Sequence, residues 1–124
     1  MAARTLLVVE DDEDLRSIFK TSLALAGYDV REARNGFEAL RSLDAVIPDL
    51  VILDLGLPVM SGHTVLEEIT AQAHTRYIPV MIVTALPDRI DKDVACIMRK
   101  PVLPDELIDA VERCLAAPAR PAGA

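Results

Sequence analysis

Cysteine, histidine and aromatic residues are all scarce in this sequence of 124 residues. The chain has two cysteines, two histidines, no tryptophan and an aromatic content of 3%. Cys96 and Cys114 have neither the spacing of metal ligands nor the density of a disulfide scaffold. We therefore predict that both cysteines are small core residues, and that aliphatic side chains fill most of the core.

Positive charge is also in short supply. The formal net charge is −7 and the isoelectric point is near 4.7. Binding to nucleic acid needs a basic face, so this charge argues against nucleic acid as a direct partner, and an anionic membrane fits an acidic surface poorly. No apolar run approaches the length of a membrane span, and the first residues lack the pattern of a signal peptide. We therefore expect a cytoplasmic protein.

The length predicts one domain with a single sizeable core and leaves no room for a second functional domain. We place that domain in residues 1–117. Residues 118–124 contain only proline, alanine, glycine and arginine. This composition predicts a disordered tail.

Three continuous apolar runs lie at residues 6–9, 50–53 and 79–83. Runs without polar alternation are typical of strands that are buried on both faces of a parallel sheet. Residues 28–33 alternate weakly and predict an edge strand, and residues 94–98 predict a short last strand. Because helical patterns separate these segments, the sequence predicts an α/β domain with a five-stranded parallel sheet covered on both faces.

The helices are predicted from apolar spacing and from capping residues. In the first helix, which ends near Gly27, the predicted buried stripe is Leu15, Ile18, Phe19, Leu23 and Ala26. The second helix is predicted to have Asn35 as its N-cap and the stripe Phe37, Leu40 and Leu43. The third is predicted to have Ser61 as its N-cap and the stripe Val65, Leu66, Ile69 and Ala73. The last begins at Pro104, whereas residues 85–93 suit at most one or two helical turns.

Polar residues follow the strands at their carboxyl ends, which share one edge in a parallel sheet. They are Glu10 and Asp11, then Asp54, Thr84 and Lys100. Ligands of open parallel sheets bind outside this edge. Each residue alone has an ordinary structural explanation, such as a helix cap or a solvated strand end. The coincidence of all of them at strand ends favours a functional site.

The chemistry of such a site follows from its residue types. Carboxylates gathered at one edge raise each other's pKa unless a cation joins them, and Mg²⁺ is the cation that often bridges carboxylates to phosphate. A hydroxyl and an ammonium group are natural partners for phosphate oxygens. No histidine, cysteine or serine is placed to act as a nucleophile, so the best candidate is the carboxylate of Asp54, as in aspartyl-phosphate chemistry.

Four segments of the chain resemble the signature blocks of response-regulator receiver domains of two-component signalling. They are residues 8–16 (VVEDDEDLR), 48–62 (PDLVILDLGLPVMSG), 83–85 (VTA) and 100–101 (KP). They occur in the family's order across most of the chain. The resemblance implies a doubly wound, flavodoxin-like (βα)5 fold.

The resemblance also implies a role for each site residue. Asp54 would accept a phosphoryl group from a phosphohistidine on a sensor histidine kinase or a histidine phosphotransfer protein. Mg²⁺ would be held by Glu10, Asp11, Asp54 and the backbone carbonyl of Gly56. Lys100 and Thr84 would contact the phosphoryl oxygens, and the Lys100–Pro101 peptide bond would be cis. Such a protein catalyses only its own phosphorylation and dephosphorylation, and its downstream target is not implied.

The sequence departs from the family in two places. Ile97 stands where receivers usually carry a tyrosine or phenylalanine, so the aromatic switch is absent or altered. The segment between Thr84 and Lys100 is also about six residues shorter than in the family, which predicts a shortened or missing fourth helix. We expect the output to differ, through ordering of the loop at residues 86–93.

Three other functions stay open at this point. The first is a phosphate-independent interaction module with the same fold. The second is a small phosphatase or phosphotransferase with Asp54 as its nucleophile, although Gly56 stands where such enzymes usually need an acid. The third is a flavin-binding protein, although the chain lacks a phosphate loop after its first strand. His63 and His74 are predicted to be solvated surface residues.

Overall fold

The computed structural model describes residues 3–87, 89–90 and 94–117. Within this part of the chain it has nine helices and strands, in this order: β1 (Thr5–Val9), α1 (Glu13–Leu25), β2 (Asp29–Ala33), α2 (Gly36–Ala45), β3 (Leu50–Leu53), α3 (Gly62–Ala71), β4 (Val80–Thr84), β5 (Cys96–Arg99) and α4 (Pro104–Ala116). None of these helices is long and apolar enough to cross a membrane.

All five strands run parallel in one sheet, in the order β2-β1-β3-β4-β5. This confirms the predicted five-stranded parallel sheet with the flavodoxin-like strand order. The order reverses between β1 and β3, which are neighbours at the centre. Since ligands bind outside the carboxyl ends of the strands at such a reversal, the fold itself marks that edge as the place for a site.

Side chains pack against both faces of the sheet. One core layer joins β1, β3 and β4 to α2 and α3, and includes Leu53, Val65 and Ile82. The other layer joins the same strands to α1 and α4, and includes Phe19 and Leu107. β1, β3 and β4 are almost fully buried on both faces, which is why their sequences are continuously apolar. Cys96 and Cys114 are unoxidised and pack against the second layer, but both are only partly buried, so the prediction that they are core residues was only partly correct.

The capping predictions were correct. The side chains of Asn35 and Ser61 accept hydrogen bonds from the backbone N–H groups of Glu38 and Thr64, three residues further on. Gly27 follows the end of α1 with a φ of +103°, a conformation that glycine adopts without strain. α4 begins at Pro104.

Three predicted helix faces were partly wrong. In the third helix, Val65, Leu66 and Ile69 are buried as predicted, but Ala73 is exposed and lies beyond the end of α3. In α1 the buried positions are Arg16, Phe19 and Leu23, whereas Ile18 is 49% exposed. In α2 the buried positions are Gly36, Ala39 and Leu43, and Phe37 is exposed. Spacings of three and four residues both fit one helix face, so the apolar residues alone did not fix the rotation of each helix about its axis. Gly36 is buried because the side chains of Met60 and Val65 leave no room for a Cβ there.

The segment between β4 and β5 agrees with the prediction of a missing fourth helix. Its described residues, 85–87, 89–90 and 94–95, contain no helix. β5 is Cys96–Arg99 and therefore begins two residues later than predicted. The predicted disordered tail at 118–124 lies outside the described residues, as do residues 88 and 91–93 of the loop that we expected to become ordered.

Candidate functional site

The strand register brings the polar residues level with one another at the carboxyl edge. Val9 pairs with Leu53, so Glu10 and Asp54 follow their strands at the same height. The N–H of Asp54 donates to the carbonyl of Val9, at 3.1 Å, and the N–H of Lys100 donates to the carbonyl of Thr84, at 3.0 Å. Backbone hydrogen bonds alone thus position these residues at the edge, independently of their side-chain contacts.

Lys100 lies between two carboxylates. Its Nζ is 2.7 Å from Oε1 of Glu10 and 2.9 Å from Oδ2 of Asp54. The side chain of Lys100 is 20% exposed, and both carboxylates are buried. An ion pair that is largely shielded from water is screened less than one on the surface, so the ammonium group neutralises both carboxylates effectively.

The pKa values of the two carboxyl groups move in opposite directions. Burial raises the pKa of Glu10, and its bonds to Lys100 and to the Asp12 N–H only partly offset this. Burial also opposes ionisation of Asp54, but the Gly56 N–H and Lys100 outweigh it and hold the pKa of Asp54 below its ordinary value. Burial would lower the pKa of Lys100, yet its two carboxylate partners raise it. At neutral pH Asp54 is therefore an ionised carboxylate facing a charged lysine.

Thr84 and Gly56 complete the surroundings of Asp54. The Gly56 N–H donates to Oδ1 of Asp54 at 3.0 Å. The hydroxyl of Thr84 is fully buried and accepts from the Leu86 N–H at 3.1 Å, and it also helps to lower the pKa of Asp54. The structure therefore brings the carboxylate, the hydroxyl and the ammonium group together, as the sequence predicted. Their chemical roles stay predictions.

The residues of the proposed Mg²⁺ site are compatible with that ion. Glu10, Asp11 and Asp54 each offer a carboxylate oxygen, and these oxygens all lie within 4.8 Å of one another. Asp11 is exposed whereas the other two residues are buried, so the cluster opens to solvent on one side. An all-oxygen set with an open side suits Mg²⁺, which retains several of its waters.

Other residues singled out in the sequence lie away from this cluster or beside it. His74 is about half exposed and lies 3.3 Å from Asp44. Ile97 lies on the edge strand β5 and is 44% exposed. The Lys100–Pro101 peptide bond is cis, as the resemblance implies.

The sequence interpretation missed one buried charge beside the site. Arg16 belongs to the block that resembles receiver domains, but we assigned it no role. The residue is 7% exposed, and its guanidinium group donates to the backbone carbonyl of Glu10. The available signal was its spacing, since Arg16 precedes Phe19 by three residues and Leu23 by seven, on the buried face of α1.

Replacing Lys100 by methionine is expected to destabilise the fold by about 2 kcal/mol at neutral pH, because two buried carboxylates lose their shared cation. Lys100 helps to hold the pKa of Asp54 down, so it stabilises the fold where Asp54 is ionised and ceases to do so as Asp54 is protonated. The difference from wild type should therefore shrink as the pH falls through the range in which carboxyl groups titrate. Urea unfolding at several pH values measures it.

The matched control is Lys20→Met. Lys20 also pairs with a glutamate, Glu32, at 3.2 Å, but its side chain is 51% exposed. A surface pair of this kind contributes about 0.5 kcal/mol. Equal losses of unfolding free energy in the two variants would contradict the proposed role of Lys100 in neutralising the carboxylates. A loss of unfolding free energy in Lys100→Met that does not depend on pH would contradict it as well.

Comparison with known proteins identifies the family. Residues 6–112 match the response regulator receiver domain. The chain is 36% identical over 87 residues, 70% of its length, to the DNA-binding dual master transcriptional regulator RpaA of Synechocystis, covering 36% of that protein. It is 37% identical over 83 residues, 67% of its length, to the sensor histidine kinase TmoS of Ectopseudomonas mendocina, covering 8% of that protein.

The fold has matches among solved structures as well. The chemotaxis response regulator CheY4 of Vibrio cholerae superposes with a TM-score of 0.84 at 25% identity, covering 91% of this chain and 99% of that one. The chain spans about a third of the length of the curated transcriptional regulators it matches. The strand order and the acidic residues at the carboxyl edge of the sheet agree with these matches. The chain therefore belongs to the response regulator receiver domain family of two-component signalling.

Proposed function

We propose that the chain takes a phosphoryl group from a phosphohistidine partner onto Asp54 and relays the signal by a conformational change. The observation that carries the proposal is the ionised carboxylate of Asp54 bound to Lys100 beside two further acids. The partner is a sensor histidine kinase or a histidine phosphotransfer protein. The chain promotes only its own phosphorylation and dephosphorylation, and acts on no other substrate.

In the transfer, a carboxylate oxygen of Asp54 bonds to phosphorus while the bond between phosphorus and the histidine nitrogen breaks. The imidazole leaves with that bonding pair and takes up a proton. Phosphoryl transfer asks mainly for positioning and for neutralisation of charge. Lys100 supplies a fixed positive charge next to the attacking oxygen. Glu10, Asp11, Asp54 and the carbonyl of Gly56 would hold Mg²⁺, which would supply further charge neutralisation when it is bound.

The conformational response is proposed to begin at Thr84. Its hydroxyl accepts a hydrogen bond from the Leu86 N–H and also interacts with Asp54. A phosphoryl group on Asp54 offers the hydroxyl a stronger acceptor, so Thr84 turns toward it and the bond to Leu86 is lost. The segment after β4 begins at that bond. This supports an output that passes through the loop after β4. The usual aromatic switch has no counterpart here, because position 97 is an isoleucine.

The direct test is to incubate the protein with a small-molecule phosphodonor such as acetyl phosphate, with Mg²⁺ or with a chelator. Intact mass spectrometry should show a gain of one phosphoryl group with Mg²⁺ and none with the chelator. A known receiver domain, labelled in parallel, verifies the donor, and reduction with borohydride followed by peptide mapping locates the acyl phosphate. No gain under conditions that label the known receiver, repeated with a phosphorylated histidine phosphotransfer protein, would favour the phosphate-independent interaction module.

A further inference from the structure

Among the residues that the structure describes, Arg16 is the one buried charge near the site that the proposed reaction does not use. The buried polar and charged side chains among the described residues are Glu10, Arg16, Asp54, Thr75 and Thr84. Glu10, Asp54 and Thr84 belong to the site, and Thr75 bonds to the carbonyl of Ile69 at the far end of α3. Because burying a guanidinium group costs free energy unless it is well paired, its contacts indicate what it does.

The Arg16 side chain reaches two partners. Nη1 donates to the backbone carbonyl of Glu10 at 3.0 Å, in a contact that is buried. Nε lies 3.3 Å from Oε1 of Glu32, on the edge strand β2, where Lys20 also pairs with Glu32. The carboxylate of Glu13 is only at the limit of an ion pair, at 4.0 Å, and is 90% exposed. The bond to Glu10 is thus the shortest contact and the best shielded one.

The carbonyl that Arg16 binds belongs to the peptide unit between Glu10 and Asp11. Both of these residues are proposed ligands of Mg²⁺, and the peptide plane sets the directions in which their side chains leave the backbone. The N–H of Glu10, which belongs to the preceding peptide unit, donates to the carbonyl of Ala33 at 3.0 Å. Hydrogen bonds therefore hold the peptide units on both sides of the Glu10 Cα, which limits rotation of the peptide plane between Glu10 and Asp11.

We propose that Arg16 is a positioning residue for the acidic cluster. By holding the peptide plane between Glu10 and Asp11, it orders their carboxylates for divalent-cation binding before the cation arrives. The proposal rests on the proposed function, because it assigns Arg16 to the same Mg²⁺ site. Outer-shell contacts of this kind commonly change metal affinity by about 10-fold to 100-fold when they are removed.

The sign of the effect separates positioning from simple electrostatics. Arg16 is positive, so its charge alone repels Mg²⁺, and removing that charge would tighten binding. Loss of positioning weakens binding instead, because the carboxylates must be ordered at the cost of binding free energy. The two explanations therefore predict opposite changes in affinity for Arg16→Met.

The experiment is a calorimetric titration of the protein with Mg²⁺, without a phosphodonor. Arg16→Met is expected to bind Mg²⁺ about tenfold more weakly than wild type. In phosphorylation assays the Mg²⁺ concentration for half-maximal rate should rise by a similar factor, while the rate at saturating Mg²⁺ changes by less than about twofold, as expected for a loss confined to metal binding. Affinity that is unchanged or tighter in Arg16→Met would overturn the proposal.

Glu32→Gln is the matched control for a purely structural role. It removes the ion pair between Arg16 and β2 but leaves the bond to the carbonyl of Glu10. Both variants should lose stability in urea, and only Arg16→Met should lose Mg²⁺ affinity by more than about twofold. A tenfold loss in Glu32→Gln as well would show that general loosening of this edge, rather than positioning by Arg16, controls the affinity.

Arg16→Lys serves if Arg16→Met does not fold. It keeps the charge but lacks the planar fork that reaches both partners. About threefold weaker Mg²⁺ binding would support positioning, and wild-type affinity would overturn it. The two proposals fail separately. A wild type that binds Mg²⁺ but takes no phosphoryl group overturns only the proposed function, whereas normal phosphorylation with unchanged Mg²⁺ affinity in a folded Arg16 variant overturns only the role of Arg16.

Discussion

Asp54→Asn is expected to abolish the Mg²⁺-dependent gain of a phosphoryl group completely. An amide oxygen is a poor nucleophile, and the substitution also removes the charge that faces Lys100 at 2.9 Å. The side chain keeps its size and can still accept from the Gly56 N–H through its oxygen, so the surrounding backbone should be preserved. Glu10 remains as a partner for Lys100 at 2.7 Å, which limits the loss of stability. Intact mass after treatment with acetyl phosphate and Mg²⁺ measures the effect.

Asp49→Asn is the control that makes this result specific. Asp49 directly precedes β3, and Asp54 directly follows it, so the two residues are at opposite ends of one strand. The carboxylate of Asp49 accepts from the Thr5 N–H at 2.8 Å and is remote from the acidic cluster. Asp49→Asn should be labelled like wild type. A Mg²⁺-dependent phosphoryl gain that persists in Asp54→Asn would mean that another residue accepts the group, and the proposed function would be wrong at its central residue.

The fold was predictable because the strands of this chain are nearly pure aliphatic runs. Strands that are buried on both faces of a sheet show no alternation with polar residues. The segments between these runs have the apolar spacing of helices, and a helix is the usual connection between parallel neighbouring strands. The rotation of the helices was harder to predict. Ile18 and Phe37 are apolar yet exposed, whereas Arg16 is charged and buried, so the hydrophobicity of single residues did not identify which side of each helix faces the core.

The composition of the site was predictable for a topological reason. In a parallel sheet every strand ends at the same edge, so residues that are far apart in sequence, such as Glu10 and Lys100, must approach one another. The sequence did not reveal that Lys100 spans Glu10 and Asp54, since this depends on side-chain reach and on the register of Val9 with Leu53. It also gave Arg16 no role, because that residue acts on a backbone carbonyl, which no sequence pattern encodes.

Gly62→Ala is expected to destabilise the fold by about 3 kcal/mol, through overpacking that the neighbouring atoms cannot relieve by moving a side chain. A Cβ at this position would overlap the backbone carbonyl oxygen of Asp54 and lie 2.5 Å from the Cα of Leu55. The N–H of Gly62 also donates to the carbonyl of Leu55 at 3.0 Å, so the start of α3 rests directly on the backbone that follows β3. The midpoint of thermal unfolding should fall by about 10 °C.

Gly56→Ala and Gly27→Ala provide a graded comparison. A Cβ at Gly56 would meet its nearest atoms at an ordinary 3.7 Å, so the loss should stay near 0.5 kcal/mol. Gly27 has open space but a positive φ, which predicts a loss of about 1 kcal/mol. In urea unfolding, the loss of stability should be largest for Gly62→Ala, smaller for Gly27→Ala and smallest for Gly56→Ala. A small loss of stability in Gly62→Ala would mean that α3 can move away from Asp54, and the backbone around this proposed phosphoacceptor would then be adaptable rather than fixed by close packing.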